Sequence, residues 1–320
     1  MTKPGDSQTK KTIGELAKEF PEKTYRELEK YRDTDRVEEA IGIGHNHPPK
    51  GVCVTGALRK DLMGYKEYEK DVIDFNPDYL FHLGAITDLE VCENDSENAY
   101  QTNTISVENA TYIANKLNIP MLYISTAGIF DGKQDIYDDW DQPNPLGVYA
   151  RTKYLGEKFV QSNKNNYLIC RPGWMMGGGP KKDKKFIKKI TTQIKDNVKI
   201  LNIVDDKFGT PTYTIDFAKN VKSILEKEYW GLYNMVCDGL TSRFDVTEEL
   251  LKILNLNNEI KINKVNSAFF SNKYFAPRPH SERLINSKLK LRSLNIMKNW
   301  KIALKEYVDE YYIEYLNIKK

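Results

Sequence analysis

Cysteine is scarce in this 320-residue chain, and the four present, Cys53, Cys92, Cys170 and Cys237, stand far apart with no C-x-x-C pair. Such spacing makes neither a redox motif nor a thiolate metal knuckle and argues against a disulfide framework. Cys53 and Cys170 fall in apolar, strand-like runs, where cysteine serves as a small core residue, and this suits a reducing compartment. Long apolar runs are missing too. No stretch approaches the length of a membrane span, and the N-terminus carries no signal-peptide apolar region, so a cytoplasmic protein without a membrane partner is expected. An excess of one charge is also lacking: 48 Lys and Arg stand against 45 Asp and Glu, a net charge of +3. That balance gives no basis for a nucleic-acid partner. Histidine numbers only four. The pair His45 and His47 has no carboxylate or cysteine nearby to complete a coordination sphere, so no metal is expected.

What is present is ordinary for a globular protein, with enough chain for one large α/β domain or two lobes on a shared core. Residues 1–50 stand apart. Thr12 to Phe20 and Glu22 to Tyr31 place apolar residues at helical spacing, and Thr12 with Glu15 makes a capping box. Pro21 takes the place of the glycine turn that a helix-turn-helix would need. Ile41 to Pro49 is a Gly/Pro linker, so 1–50 is expected to be a helical appendage.

From Gly51 short apolar strands alternate with helical patterns. Strands are expected at 52–55, 79–83, 120–125 and 167–170, and helices at 65–75 and 98–116, with a further helix opening at Tyr149. Asn76-Pro77 closes the first helix. Such alternation implies βαβ units and a parallel sheet, whose ligands lie at the carboxyl ends of the strands. Thr55-Gly56, Gly84-Ala85, Ser125-Thr126 and Pro172-Gly173 all fall at those ends.

The stretch 123–159 concentrates the chemistry. A strand ends at Ser125-Thr126, a polar loop follows, and Tyr149-Ala-Arg-Thr-Lys153 opens a helix. The four-residue spacing puts Tyr149 and Lys153 on one helix face. An ammonium beside a phenol favours the phenolate, so a lowered Tyr149 pKa is expected, with Thr126 supplying a hydroxyl to the same substrate oxygen. Alone, Y-x-x-x-K is a weak signal in a chain with 20 tyrosines. Its setting is stronger: Ser125-Thr126, Phe130-Asp131-Gly132, Pro143-Asn144-Pro145, Tyr149 and Lys153 follow in order. This pattern resembles the extended short-chain dehydrogenase/reductases, and within them the dTDP-4-dehydrorhamnose reductase branch. The resemblance runs on through His82–Asp88, Asn103, Asp205–Tyr213, Gly231–Asn234 and Ala276-Pro-Arg278-Pro279, covering roughly residues 51–312.

The resemblance implies an extended Rossmann-type α/β fold, a doubly wound parallel sheet with a smaller C-terminal substrate lobe. The core would be mainly 51–172 and 208–236, the lobe mainly 173–207 and 237–312. It implies reduction of a 4-keto-6-deoxy sugar nucleotide by NADPH or NADH, with Thr126, Tyr149 and Lys153 catalytic. Cofactor contacts would come from Thr55, Gly56, Arg59, Asp61, Leu62, Gly84, Ala85, Tyr149, Lys153 and Pro172. Thr87, Asp88, Trp174 and Arg278 would bind a nucleotide-linked sugar, with the lysine run 181–189 near its diphosphate, and a homodimer is the assembly considered.

One family feature is missing. Its G-x-x-G-x-x-G turn lets backbone amides approach the cofactor pyrophosphate at a helix N-terminus. Here Thr55-Gly56-Ala57 runs straight into Leu58-Arg-Lys-Asp61-Leu62, so about 25 residues of the usual first unit, itself ~30 residues long, are absent. Either Val52–Gly56 is the first strand with its glycine helix deleted, or it stands in the second strand's place and the first is lost. Weak cofactor binding is therefore expected. A non-catalytic sugar-nucleotide or partner-binding protein is the rival reading, and a sugar-nucleotide epimerase the next. A dehydratase ranks lowest, because Thr126-Ala127-Gly128 offers no acidic pair.

Overall fold

The first described strand, β1 (Val52–Thr55), belongs to a computed structural model that describes residues 52–55 and 65–318. The expected appendage 1–50 and the cofactor candidates Gly56, Arg59, Asp61 and Leu62 lie outside the described residues. Helix α1 (Tyr65–Phe75) and strand β2 (Tyr79–His82) follow. Short helices α2 (Leu89–Asn94) and α3 (Ser96–Tyr100) lead through a π-helical turn (Gln101–Ile105) into α4 (Ser106–Lys116). Next come β3 (Met121–Ile124), a 3-10 turn (Ala127–Ile129), α5 (Val148–Asn163) and β4 (Tyr167–Arg171). The elements β5 (Trp174–Met176), α6 (Gly179–Lys182), α7 (Phe186–Lys195), β6 (Ile200–Val204), β7 (Phe208–Gly209) and β8 (Pro211–Tyr213) form a second layer of structure. Helix α8 (Thr214–Glu226) and β9 (Gly231–Asn234) return to the first sheet. The chain finishes with β10 (Thr241–Ser242), α9 (Arg243–Ile253), β11 (Lys261–Val265), β12 (Ser281–Glu282), α10 (Ser287–Leu291) and α11 (Trp300–Tyr311).

Local sequence explains the boundaries. Helix α1 stops at Asn76, whose φ of 49° is the left-handed conformation that asparagine tolerates, and Pro77 then forbids continuation. Beyond α4, Asn118 (φ 53°) makes the same kind of stop. The expected strands and helices fall within one or two residues of their sequence positions. The exception is the helix expected over 98–116, which begins earlier and is interrupted by the π turn.

Among the described residues, five strands form a parallel sheet in the order β1-β2-β3-β4-β9. Helices α1, α4 and α5 cover one face, where Tyr68, Val72, Val107, Ile113 and Val160 pack on Leu80, Met121, Tyr123 and Ile169. A run of right-handed crossovers moving in one direction places its helices on one side, as here. On the other face Leu122, Leu168, Cys170 and Tyr233 meet Phe217, Val221 and Ile224 of α8. Coverage there is incomplete: in β2, Leu80 and His82 are buried while Tyr79 and Phe81 are only half-buried and line an open cleft. Strand β1 pairs directly with β2, Val52 against Tyr79 and Thr55 against His82.

The second layer is built from small ribbons: β6 with β11, β5 with β8, and β7 flanked by β10 and β12. Their purpose for the site is positional. Parallel pairing of β12 with β7 sets Glu282 against Gly209, which brings the end of a distant segment to the mouth of the main sheet.

Candidate active site

Strand β3 ends at Ile124, and Ser125-Thr126 follow at the carboxyl edge of the sheet. Thr126 caps the 3-10 turn, its Oγ1 accepting from the Gly128 amide at 3.1 Å. This fixes the hydroxyl oxygen at the rim of the cleft. Tyr149 sits in the first turn of α5, after Gly147, which provides no side-chain cap. The missing cap is supplied from another helix, where Glu93 accepts the Val148 amide at 2.6 Å. The loop leading to Tyr149 is pinned by Asp131. It accepts from Lys133 N at 3.0 Å, Tyr137 Oη at 2.8 Å and Asn144 Nδ2 at 3.0 Å. Those bonds, the Lys133 amide first, hold its carboxyl down at about 2. The Phe130-Asp131-Gly132 and Asn144 features of the sequence therefore shape the loop that delivers Tyr149.

Tyr149 and Thr126 line the same cleft, and Thr126 favours the ionised form of the phenol. Lys153, one turn on, is 3 % exposed, and its Nζ lies 4.3 Å from the centroid of the Tyr123 ring. The helix spacing thus holds, but the electrostatics differ from expectation. Burial raises the Tyr149 phenol to about 12, only partly countered by Thr126. Burial likewise brings the Lys153 ammonium down to about 7, against the pull of Glu157. The expected lowering of the tyrosine by its lysine is absent, because desolvation outweighs a charge that turns toward Tyr123. Below it, Arg171 Nε and Nη2 grip Glu157 Oε2 and Oε1 at 3.0 and 2.5 Å, an ion pair buried on both sides. The α5 backbone is fixed from the side as well. Tyr123 Oη donates to Lys153 O at 2.9 Å, and Asn103 Nδ2 donates to Thr152 Oγ1 at 3.1 Å and Ile86 O at 3.0 Å. Asn103 reaches both because it sits in the π turn, a local widening frequent at functional sites.

These groups open into a cleft of about 2920 Å³. A drug-sized ligand fills some 300–1,000 Å³, so there is room for two large ligands side by side. Of the expected cofactor residues, Ala85, Tyr149, Lys153 and Pro172 line the cleft, while Gly84 is buried behind it. Thr55 ends β1 opposite His82, with its backbone in the sheet. The nicotinamide half of a cofactor fits the described residues. Ser125 Oγ is buried with no hydrogen-bond partner among them, and the buried Lys153 amine is close by on the same cleft wall.

The expected substrate residues divide. Thr87 and Asp88 line the cleft. Lys185 Nζ donates to Thr87 Oγ1 at 3.2 Å, and Asp88 caps α2 by accepting from Val91 N at 3.1 Å. Arg278 lines it too, but its guanidinium pairs with Glu90 at 2.8 and 2.9 Å and donates to Ala276 O at 2.9 Å. Its first partner is thus a carboxylate of the protein. Trp174 is half-buried, its indole lying over β7 where any side chain at Gly209 would collide with it at 2.2 Å. Two residues escaped sequence reasoning. Arg243 stacks its guanidinium 3.6 Å from the Trp174 ring centroid, and Glu282 accepts from Trp174 Nε1 at 2.9 Å. Burial lowers Arg243 to about 10 and raises Glu282. The acid that Thr126-Ala127-Gly128 lacks in sequence arrives beside it in space. The only forewarning was its nearness to Arg278-Pro279.

The family model described as the RmlD substrate binding domain matches residues 45–313. The chain belongs to this family. Among curated RmlD relatives, dTDP-4-dehydrorhamnose reductase of Escherichia coli K12 is 30 % identical over 252 residues, 75 % of this chain and 81 % of that one. The Bacillus subtilis spore coat polysaccharide biosynthesis protein SpsK is 26 % identical over 237 residues, 74 % of this chain and 80 % of its own. Among solved structures, a dTDP-4-dehydrorhamnose reductase of Clostridium acetobutylicum superposes with a TM-score of 0.75 at 26 % identity, covering 90 % of this chain and 98 % of its own. The RmlD fold thus extends over the sheet and the ribbons together. A Bacillus anthracis dTDP-4-dehydrorhamnose reductase in complex with NADP superposes at 0.72 with 24 % identity, covering 78 % of this chain and 86 % of its own, and bears on the fold alone.

Proposed function

We propose that this chain reduces the C4 ketone of a nucleotide-linked 6-deoxy sugar, using NADPH or NADH. The observation that carries the reading is the convergence of Thr126, Tyr149 and the buried Lys153, one helical turn on, in one cleft at the carboxyl edge of a parallel sheet. The names of its RmlD relatives point to the same reaction. The cofactor would supply the hydride. Tyr149, kept protonated by burial, gives its proton to the developing alkoxide, which is the direction a ketone reduction needs. Thr126 Oγ1 orients the ketone oxygen. Lys153, poised near neutrality, holds the cofactor ribose and returns a proton to Tyr149. Glu157, clamped by Arg171, keeps that amine charged for more of the time than burial alone would.

The test is oxidation of NADPH and NADH with dTDP-4-dehydrorhamnose. Tyr149→Phe removes the acid and preserves the ring, so turnover falls by about 10²–10⁴-fold. Undiminished turnover in that variant would sink the mechanism. Absent turnover in the wild type, with retained sugar-nucleotide affinity, would select the binding-protein reading.

A further inference from the structure

We infer that Glu282 reads the sugar hydroxyl next to the reacting ketone, making it a specificity residue of the site; this rests on the reductase reading above. Glu282 belongs to β12, 156 residues beyond Thr126 in the chain, yet both line one cleft with Gly128 between them. A Cβ placed on Gly128 would stand 3.5 Å from Thr126 Oγ1 and 3.8 Å from Glu282 Oε1. The two oxygens therefore both lie near the side-chain position of residue 128, and the small notch between them is left open by that glycine.

The carboxylate is built into its place. Its Oε2 is taken by Trp174 Nε1 at 2.9 Å, and the ring of Trp174 is held in turn by Arg243 at 3.6 Å and by the close approach of Gly209. Oε1 is left facing the notch, an acceptor with no bond of its own to another side chain among the described residues. Burial raises the Glu282 carboxyl, and the positive charge of Arg243, the Trp174 bond, Arg278 and Lys207 counter that rise only in part.

The spacing suits one chemistry. If Thr126 holds the ketone oxygen, a hydroxyl on the neighbouring carbon lies one hydrogen-bond length further on, and its acceptor a third. Three such steps span about 8 Å when extended, enough to bridge the notch. In a 4-keto-6-deoxyhexose the hydroxyl on that side is the one at C3. Glu282 accepting it orients the ring so that the ketone meets Thr126 and Tyr149. A charge-assisted bond of this kind, about 1.5–3 kcal/mol, corresponds to roughly ten- to hundredfold.

The experiment compares dTDP-4-dehydrorhamnose with its 3-deoxy counterpart. Glu282→Gln keeps the shape and an acceptor for Trp174 but turns an amide toward the notch. Its kcat/KM should fall ten- to hundredfold on the hydroxylated sugar and stay within twofold of wild type on the deoxy sugar. Equal loss on both sugars, or no loss on either, overturns the inference. Gly128→Ala plugs the notch while leaving the bonds of Glu282 alone, and it should depress kcat/KM on the hydroxylated sugar. Full activity there also overturns it. If the wild type turns over neither sugar, the reductase reading has failed, and calorimetric binding of dTDP-rhamnose and its 3-deoxy analogue reads the same contact. A wild-type preference of tenfold or more for the hydroxylated sugar, lost in Glu282→Gln, upholds it; equal affinities or no binding overturn it.

Discussion

Lys153 shows how one side chain can be read correctly in place and wrongly in charge. The four-residue spacing to Tyr149 was legible because helix geometry is local. The turn of its amine onto Tyr123 was not, since it depends on a strand 30 residues earlier. Its pKa has a stability consequence. The folded value near 7 lies below the unfolded value of 10.5, so between those limits the unfolded chain binds more protons. The cost of burying the ammonium is fully present below about pH 7 and is relieved as pH rises, by at most about 1.4 kcal/mol per unit. Lys153→Met removes the group. The variant should therefore melt no lower than wild type at pH 7, and the gap between them should close towards pH 9.5 while turnover stays lost. A variant that melts well below wild type at pH 7 would contradict the assignment. Glu282 illustrates the reverse case: only its nearness to Arg278-Pro279 hints at it in sequence, because a two-residue strand carries it to the site.

At the scale of elements, the parallel strands were legible from short apolar runs between helical patterns. The π turn was not, for nothing in the sequence Gln101–Ile105 breaks the helical apolar pattern or distinguishes a π turn from an α turn. Asn103 shows what that costs the reader, since its bonds to Ile86 and Thr152 exist only where the helix widens. The same scale governs cofactor affinity. Strand β1 lies directly against β2, and no room in the sequence exists for a glycine-rich turn and full helix between β1 and α1. Two lost amide–phosphate bonds, each about 1.5–3 kcal/mol, weaken binding about a hundredfold or more. Fluorescence titration should thus give NADPH and NADH dissociation constants well above the micromolar range. Micromolar or tighter saturation would mean that another backbone turn supplies the amides.

For the whole molecule, the described residues carry their own core. Helices α1, α4 and α5 bury one sheet face, and α8 with the second layer buries much of the other. Residues 1–50 lie almost wholly outside the matched family region, which begins at 45. A chain starting at Lys50 should therefore keep a single cooperative thermal transition within a few degrees of the full-length protein. Loss of that transition would show that the N-terminal segment substitutes for the missing first unit.

The strand order carries one more consequence, which concerns synthesis. From β1 to β4 each strand lies beside the one made just before it. A sheet of this kind can be laid down in the order the ribosome delivers it, every new strand finding its neighbour already made after one crossover connection. The nascent chain can thus own a folded sheet, with Thr126, Tyr149 and Lys153 in place, soon after β4 has emerged. Glu282 arrives more than a hundred residues later, at about 5–20 residues per second, so the substrate side of the cleft is finished only after several further seconds of elongation.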